Sequence, residues 1–425
     1  MSDILKPAVH VNFRKSLQGQ KVTIPSIYET FPEWKPQVHP EYKRARAEVL
    51  DPWIQKWVPN KRTVKGLQAA DFGVFAAVWA PKASFDVLCT AAKYFAWYFV
   101  YDDIFDCGAL KYDEPLANTY REASLQYFRF TLLGEGAAPD LSVFHIELQN
   151  ALYCWDEVGH HIGQVCSRGT RQVLCGEMLR YVDSLNNVDS LFAVKEIPSI
   201  DEYWERREAT AAAHCVTATI PFIYGIDIDE ADVQNQPMKD LWKHTSYFVH
   251  ITNDMLSFRK EVDDDQIENL IPVLMLNSQI DCNTAMDQSY QLLHNEAKGF
   301  NSAKERLLEA TDPKVIVIAE AFIEGCLNVA VGLAHWSYCG DRYFRPSDRQ
   351  ENNVISFTIG ASHTQQHYHE ESETLKASSK QSHLPPTPLQ SMIYSVVPFA
   401  PLIMLSIVSI PSVIQQFGGP SSWGV

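Results

Sequence analysis

The chain has 425 residues, of which 46% are hydrophobic and 12% aromatic, enough for a sizeable core in two or three domains or in one large one. Its net charge of −16 argues against a nucleic-acid partner, which would want a basic face, yet leaves room for a polyanionic small molecule if a metal reverses the local field. Nine scattered cysteines, an odd number with no CxxC pair, suit reduced thiols rather than a disulfide framework.

The N-terminus, Met1-Ser2-Asp3-Ile4-Leu5-Lys6-Pro7, has no apolar core of signal-peptide length, so a cytoplasmic protein is expected. Residues 1–59 read as a proline-rich arm. Five prolines fall between Pro25 and Pro52, with Trp34 and Trp53 interspersed, which predicts an extended segment draped over a helical body and pinned by aromatics. Residues 60–345 have few prolines to break helices and no alternating segments joined by Asn-Gly or Asp-Gly turns, which predicts one all-α domain. Residues 346–390 are rich in Ser, Thr, Gln, His and Pro, a polar linker that cannot bury enough surface to fold alone. Its His363, His367 and His369 fit a solvated tract better than a metal site. Residues 391–425 form an apolar tail. The charge-free run from Met392 to Ile414 is long enough to cross a bilayer, but Pro398, Pro401 and Pro411 interrupt it. Membrane contact through the tail is therefore less expected than an apolar flap or a segment with no functional role. Deleting residues 350–425 is expected to leave activity largely unchanged.

Two acidic segments carry the chemistry. On a helix advancing ~100° per residue, Leu88, Ala92, Phe95, Phe99, Asp102 and Asp106 follow one another down a single stripe. An apolar stripe that ends in carboxylates needs a counter-charge, and a divalent cation supplies one. Asp103 lies off that stripe and fits a supporting role behind the ligands, or an alternative ligand position. The second segment is Asn253-Asp254-Met255-Leu256-Ser257-Phe258-Arg259-Lys260-Glu261. Asn253, Ser257 and Glu261, at i, i+4 and i+8, lie within ~80° of one another, away from the packing stripe of Leu241, Phe248, Ile251, Met255, Phe258 and Val262. An amide oxygen, a hydroxyl and a carboxylate make a hard-oxygen set suited to Mg²⁺, which keeps other positions for water and phosphate.

Asp102-Asp103-x-x-Asp106 followed by Asn253-Asp254-x-x-Ser257-x-x-x-Glu261 resembles the metal-binding pair of class I terpene synthases of the microbial, fungal single-domain type. Arg207, in Tyr203-Trp204-Glu205-Arg206-Arg207-Glu208, lies where that family keeps a diphosphate-sensing arginine, and Arg342-Tyr343 resembles its late Arg-Tyr pair. The resemblance spans residues 60–345. It implies a single bundle of helices around a deep central pocket, with the two acidic helices facing each other at its mouth. It also implies three Mg²⁺ ions, with Mn²⁺ as a possible substitute, on Asp102, Asp106, Asn253, Ser257 and Glu261. Arg207, Lys260, Arg342 and Tyr343 would grip the diphosphate, and Phe95 and Phe99 would stabilise carbocations by their ring faces. Trp97 reads as core packing as readily as Phe95 or Phe99 does. The family often has a small residue, commonly Gly, at a helix break four positions after the sensor arginine. This chain has Ala211 there, within Ala211-Ala212-Ala213, which leaves the break open. Arg206 and Arg207 point ~100° apart on a helix, so only one can face the site.

The implied activity is cyclisation of an isoprenoid diphosphate, farnesyl diphosphate before geranylgeranyl diphosphate, by a monomer or homodimer. A prenyltransferase would carry a second Asp-rich motif instead of the Asn/Ser/Glu set. A non-catalytic isoprenoid binder would have no need of both ligand sets and both basic elements.

Overall fold

A computed structural model describes residues 8–106, 110, 113–185, 198–263 and 268–360. The described part is all-α apart from one small two-stranded sheet. Its helices are α1 (Ala8–Leu17), α2 (Tyr42–Ala45), α3 (Asp51–Trp57), α4 (Lys61–Ala70), α5 (Phe72–Trp79), α6 (Phe85–Asp106) and α7 (Glu114–Phe128). There follow α8 (Ile146–Tyr153), α9 (Asp156–Val165), α10 (Arg168–Ser184), α11 (Ile200–Thr210), α12 (Ala213–Thr217) and α13 (Ile220–Tyr224). The last are α14 (Glu230–Gln234), α15 (Gln236–Asp263), α16 (Leu270–Ser278), α17 (Cys282–Leu308) and α18 (Pro313–Cys339). Strands β1 (Lys21–Ile24) and β2 (Ile355–Thr358) pair antiparallel, Lys21 opposite Thr358 and Ile24 opposite Ile355.

The helix limits follow from local chemistry. Ser199 and Glu202 close a reciprocal capping box on α11, Ser167 caps α10, and Asp281 and Asp312 cap α17 and α18. Helix α15 packs against α17 and α18, and α5 lies between α18 and α6. Leu241, Phe248, Ile251, Met255, Phe258 and Val262, the predicted packing stripe of α15, are all buried. Helix α6 is buried nearly all round. Leu88, Ala92 and Phe95 face one side, while Tyr94, Trp97 and Tyr101 fill the other. Trp97 donates its indole N–H to the Ala151 carbonyl at 2.9 Å, so it belongs to the core. Helix α18 is long and apolar enough to cross a bilayer, but most of it is buried within this body, where a central core helix belongs.

Both ends of the chain depart from the limits expected of the sequence. The N-terminal arm is pinned by aromatics, with Phe31 5.4 Å from the rings of Phe248 and Phe300 and the Trp34 indole N–H 3.0 Å from Asn328 Oδ1. It is not simply extended. Residues 42–57 run as α2, a π turn over Arg46–Leu50, and α3, with Pro52 in the first turn of α3, where proline costs no hydrogen bond. Residues 346–360, expected as the start of a polar linker, fold against the body because β1 supplies a partner and Ile355, Phe357 and Ile359 are buried. The rest of the expected linker and the apolar tail, 361–425, lie outside the described residues.

Cutting the chain after Arg349 would therefore remove β2, contrary to the expectation that residues 350–425 are dispensable. Three side chains worth roughly 1.5–3 kcal/mol each on burial would be lost, and the melting temperature should fall by several degrees. A chain ending at Gly360 keeps this pairing and provides the comparison. Equal melting temperatures for the two truncations would contradict the contribution of β2.

Candidate active site

A cavity of about 160 Å³ opens between α5, α6, α11, α12, α15 and α18. Its walls are aromatic. Phe75 and Phe95 stack at 4.0 Å, and Trp336 meets Phe95 and Phe99 edge-on or tilted at 5.6 and 5.9 Å. Asp102, Arg207, Ala211 and Asn253 line the same space, so Phe95, Phe99, Asp102, Arg207, Ala211 and Asn253 come together as the sequence pattern requires.

On the α6 side the Tyr181 hydroxyl donates to Asp102 Oδ1 at 3.0 Å. Burial, reinforced by the neighbouring Asp103 charge, nevertheless pushes the Asp102 carboxyl up to about 6. Asp103 does not line the cavity and faces the charges of Arg342 and Lys260 instead. Helix α6 ends at Asp106, whose side chain lies outside the described residues.

On the α15 side the Ser257 side chain is buried, and its hydroxyl lies toward Glu261, where it helps hold that carboxylate's charge. One turn on, Glu261 accepts from the Asn269 amide at 2.9 Å, while burial and the Asp254 charge hold its carboxyl above the usual range. Among the described residues no group of three acidic, histidine or cysteine side chains gathers tightly enough to hold a metal by itself. A hydroxyl beside a buried carboxylate reluctant to ionise is nonetheless a set of hard oxygen donors that a hard cation satisfies. Its remaining positions would go to amide oxygen, water and phosphate. The residues fit a Mg²⁺-like ion.

Arg207 is held by Asp254. Its Nη2 donates to Asp254 Oδ1 at 2.7 Å and to Asn253 Oδ1 at 2.8 Å, and its Nε reaches Asp254 at 3.2 Å. Burial opposes the charge, but Asp254, Tyr203 and Glu261 keep the guanidinium firmly protonated. Arg206 points elsewhere and pairs with Glu268. The Arg342 guanidinium lies 4.7 Å from the Phe99 ring centroid, and its Nε donates to the Tyr343 hydroxyl at 3.3 Å. Tyr343 is buried edge-on to Trp336 at 5.9 Å. His250, one turn from Asn253, is fully buried between the Trp204 and Tyr247 rings, and burial with nearby Arg207 and His214 keeps its imidazole neutral.

The break left open by Ala211 is present. Helix α11 ends at Thr210, Ala211 caps it, and Ala212 takes a left-handed conformation (φ 54°, ψ 11°) before α12 begins. Alanine does this at a cost of about 1–2 kcal/mol, which surrounding packing must impose.

Four partners escaped the sequence reading. Asp254 is a named position of its motif to which the pattern assigns no role, Asn269 and Tyr181 carry no pattern, and Tyr203 has just its position four residues before Arg207, on the same helix face. The Tyr203 hydroxyl bonds Asp254 Oδ2, and the Leu270 backbone N–H donates to the same oxygen at 2.7 Å.

The model of terpene synthase family 2, C-terminal metal binding, matches residues 93–298. The sesquiterpene cyclase hepA of Aspergillus oryzae is 25% identical over 354 residues, covering 80% of this chain and 94% of its own. Silphinene synthase peniA of Penicillium patulum is 26% identical over 80% of this chain and 90% of its own. Among solved structures, germacradien-4-ol synthase from Streptomyces citricolor aligns with a TM-score of 0.58 at 18% identity, over 72% of this chain and 96% of its own. α-Eudesmol synthase aligns at 0.61 and 18% identity, over 72% and 97%. Over these spans the chain is similar to class I terpene synthases, and its described residues have the all-α fold of its structural neighbours. It is an enzyme of terpene cyclisation.

Two measurements check the site as built. The raised Asp102 carboxyl means that the folded protein binds its proton more tightly than the unfolded chain does, so ionised Asp102 costs stability above about pH 6. Asp102→Asn should therefore raise the melting temperature of metal-free protein at about pH 7.5. The gain should shrink as the pH falls and vanish at about pH 3, below the unfolded value, where Asp102 is protonated in both states. A gain independent of pH, or none, would contradict the buried uncompensated charge. At the helix break, Ala212→Gly should keep or slightly raise the melting temperature and Ala212→Val should lower it by several degrees. Equal tolerance of both would contradict the left-handed turn.

Proposed function

We propose that the chain ionises farnesyl diphosphate, releases diphosphate and cyclises the resulting allylic cation to a sesquiterpene. The observation that supports this most is the meeting of Asp102, Asn253 and Arg207 in the wall of one aromatic cavity, with the charges of Glu261 and Arg342 close enough to act on them. When bound, Mg²⁺ ions, three by family resemblance, would supply positive charge to the diphosphate oxygens as the C–O bond breaks. Asp102, Asn253, Ser257 and Glu261 would hold them, together with Asp106. Mn²⁺ has the same preference for oxygen ligands.

The protein's own groups do the rest. Arg207, kept charged by Asp254, offers N–H donors to a phosphate at the mouth, and Arg342, Lys260 and the Tyr343 hydroxyl add to the grip from the other side. The Phe95, Phe99 and Trp336 rings present their faces and edges to the hydrocarbon, keep water out and stabilise cations. The turn at Ala211 and Ala212 lines the same cavity as Arg207 and would shape the wall beside the ionising end. Farnesyl diphosphate is preferred as substrate because the similar curated proteins are named sesquiterpene cyclases and synthases. Location in the cytoplasm belongs to the same proposal, and the free state of every cysteine among the described residues supports it.

The test is turnover of geranyl, farnesyl and geranylgeranyl diphosphate in MgCl₂ or in EDTA, with extracts read by gas chromatography–mass spectrometry. A cyclic C15 product formed only with metal is expected. Asn253→Ala should lower kcat by about 100-fold or more with the melting temperature nearly unchanged, since several kcal/mol of transition-state stabilisation depend on the ligand set. Undiminished turnover in EDTA or in Asn253→Ala would overturn the proposal.

A further inference from the structure

Arg259 lies inside the acidic segment of α15 but takes no part in the cavity. Two positions beyond Ser257, it points ~200° around the helix, toward the back. It is 3% exposed, and a guanidinium so deeply buried must be paired. Its Nη2 donates to the Tyr343 carbonyl at 2.7 Å and to Asp348 Oδ2 at 2.8 Å, and its guanidinium lies 4.6 Å from the Phe357 ring on β2. The same Asp348 oxygen accepts the Arg345 backbone N–H at 2.8 Å. Behind Phe357, β1 is fastened to α17, where Asn283 accepts from the Thr23 N–H at 3.1 Å and donates to the Lys21 carbonyl at 3.0 Å.

The segment after α18 has no regular backbone ladder to set its course until β2. Side-chain bonds help to do so, and the Arg259 pair starts from the helix carrying Asn253, Ser257 and Glu261. We propose that Arg259 is a positioning residue. By holding the Tyr343 carbonyl and Asp348, it sets Arg342 and the Tyr343 hydroxyl at a fixed distance from the α15 ligand set, so that both sides of the diphosphate grip move as one body. This rests on the reading that Arg342 and Tyr343 bind the substrate diphosphate. A buried ion pair is a poor source of net stability, since apolar residues of similar volume often do as well. A role in fixing geometry accounts for its place here.

The experiment compares full-length wild type with Arg259→Gln, Arg259→Lys, Asp348→Asn, Arg342→Gln and the Arg259→Gln/Arg342→Gln double variant. Steady-state kinetics with farnesyl diphosphate and Mg²⁺ are read beside backbone hydrogen exchange of the ligand-free proteins. Arg259→Gln should raise KM about 10-fold, the scale expected of ångström misplacement, and speed exchange within residues 341–349 while α15 stays protected. Arg259→Lys should recover most of the KM. On the Arg342→Gln background, Arg259→Gln should add less than about 2-fold, because the group it positions is already gone. Asp348→Asn should repeat the Arg259→Gln pattern and carries the test if Arg259→Gln does not fold. A KM within about 2-fold of wild type, or full multiplication of the two effects, would overturn the proposal while wild type remains active. Wild type inactive on every prenyl diphosphate would overturn the functional reading instead. Unchanged exchange in 341–349 would then separately overturn the holding role of Arg259.

Discussion

A carboxylate with 1% of its surface exposed has to find partners, and Asp254 finds them on two other helices. One oxygen takes Arg207 of α11, and the other takes the Tyr203 hydroxyl of α11 and the Leu270 N–H at the start of α16. The Asp254 carbonyl accepts from Asn269, which also bonds Glu261. This one side chain thus fixes the side-to-side placement of α11 against α15 and aims Arg207 at Asn253. The helix break at Ala211 and Ala212 follows one turn further along α11. Much of the cavity mouth depends on this network, because the rest of the wall is apolar and can pack in more than one way.

Around that anchor the mouth has more negative charge than its arginines and lysine answer. Asp254 is matched by Arg207. Asp102 and Glu261 are left with carboxyls pushed upward. Such groups lower the stability of the metal-free fold, and their cost is acceptable where a cation later offsets it. The aromatic stack below stabilises the fold through Phe75, Phe95 and Trp336 and also presents the surfaces that a reacting hydrocarbon would meet.

Much of this was legible in the residue pattern. The 3.6-residue periodicity of α6 and α15 was strong enough to set both helices and the facing of Asp102, Asn253 and the buried stripe, and a spacing of 100° separated Arg207 from Arg206. What was not legible depends on partners distant in the chain. Asp254 stands in its motif without a legible role because its partners are Tyr203, Arg207 and Leu270. The left-handed turn at Ala212 is imposed by packing against local preference, since alanine itself favours helix. Residues 346–360 read as linker because β2 has no strand signal without β1, more than 300 residues earlier, to complete it.

The central claim is that the mouth is built for a metal-bound diphosphate, and calorimetric titration with inorganic pyrophosphate addresses it without depending on which hydrocarbon the cavity accepts. In the presence of MgCl₂, wild type should bind pyrophosphate with release of protons, as the raised carboxyls of Asp102 and Glu261 ionise onto the metal. In EDTA, binding should be lost. Equal binding with and without the metal, or none under either condition by folded protein, would contradict it.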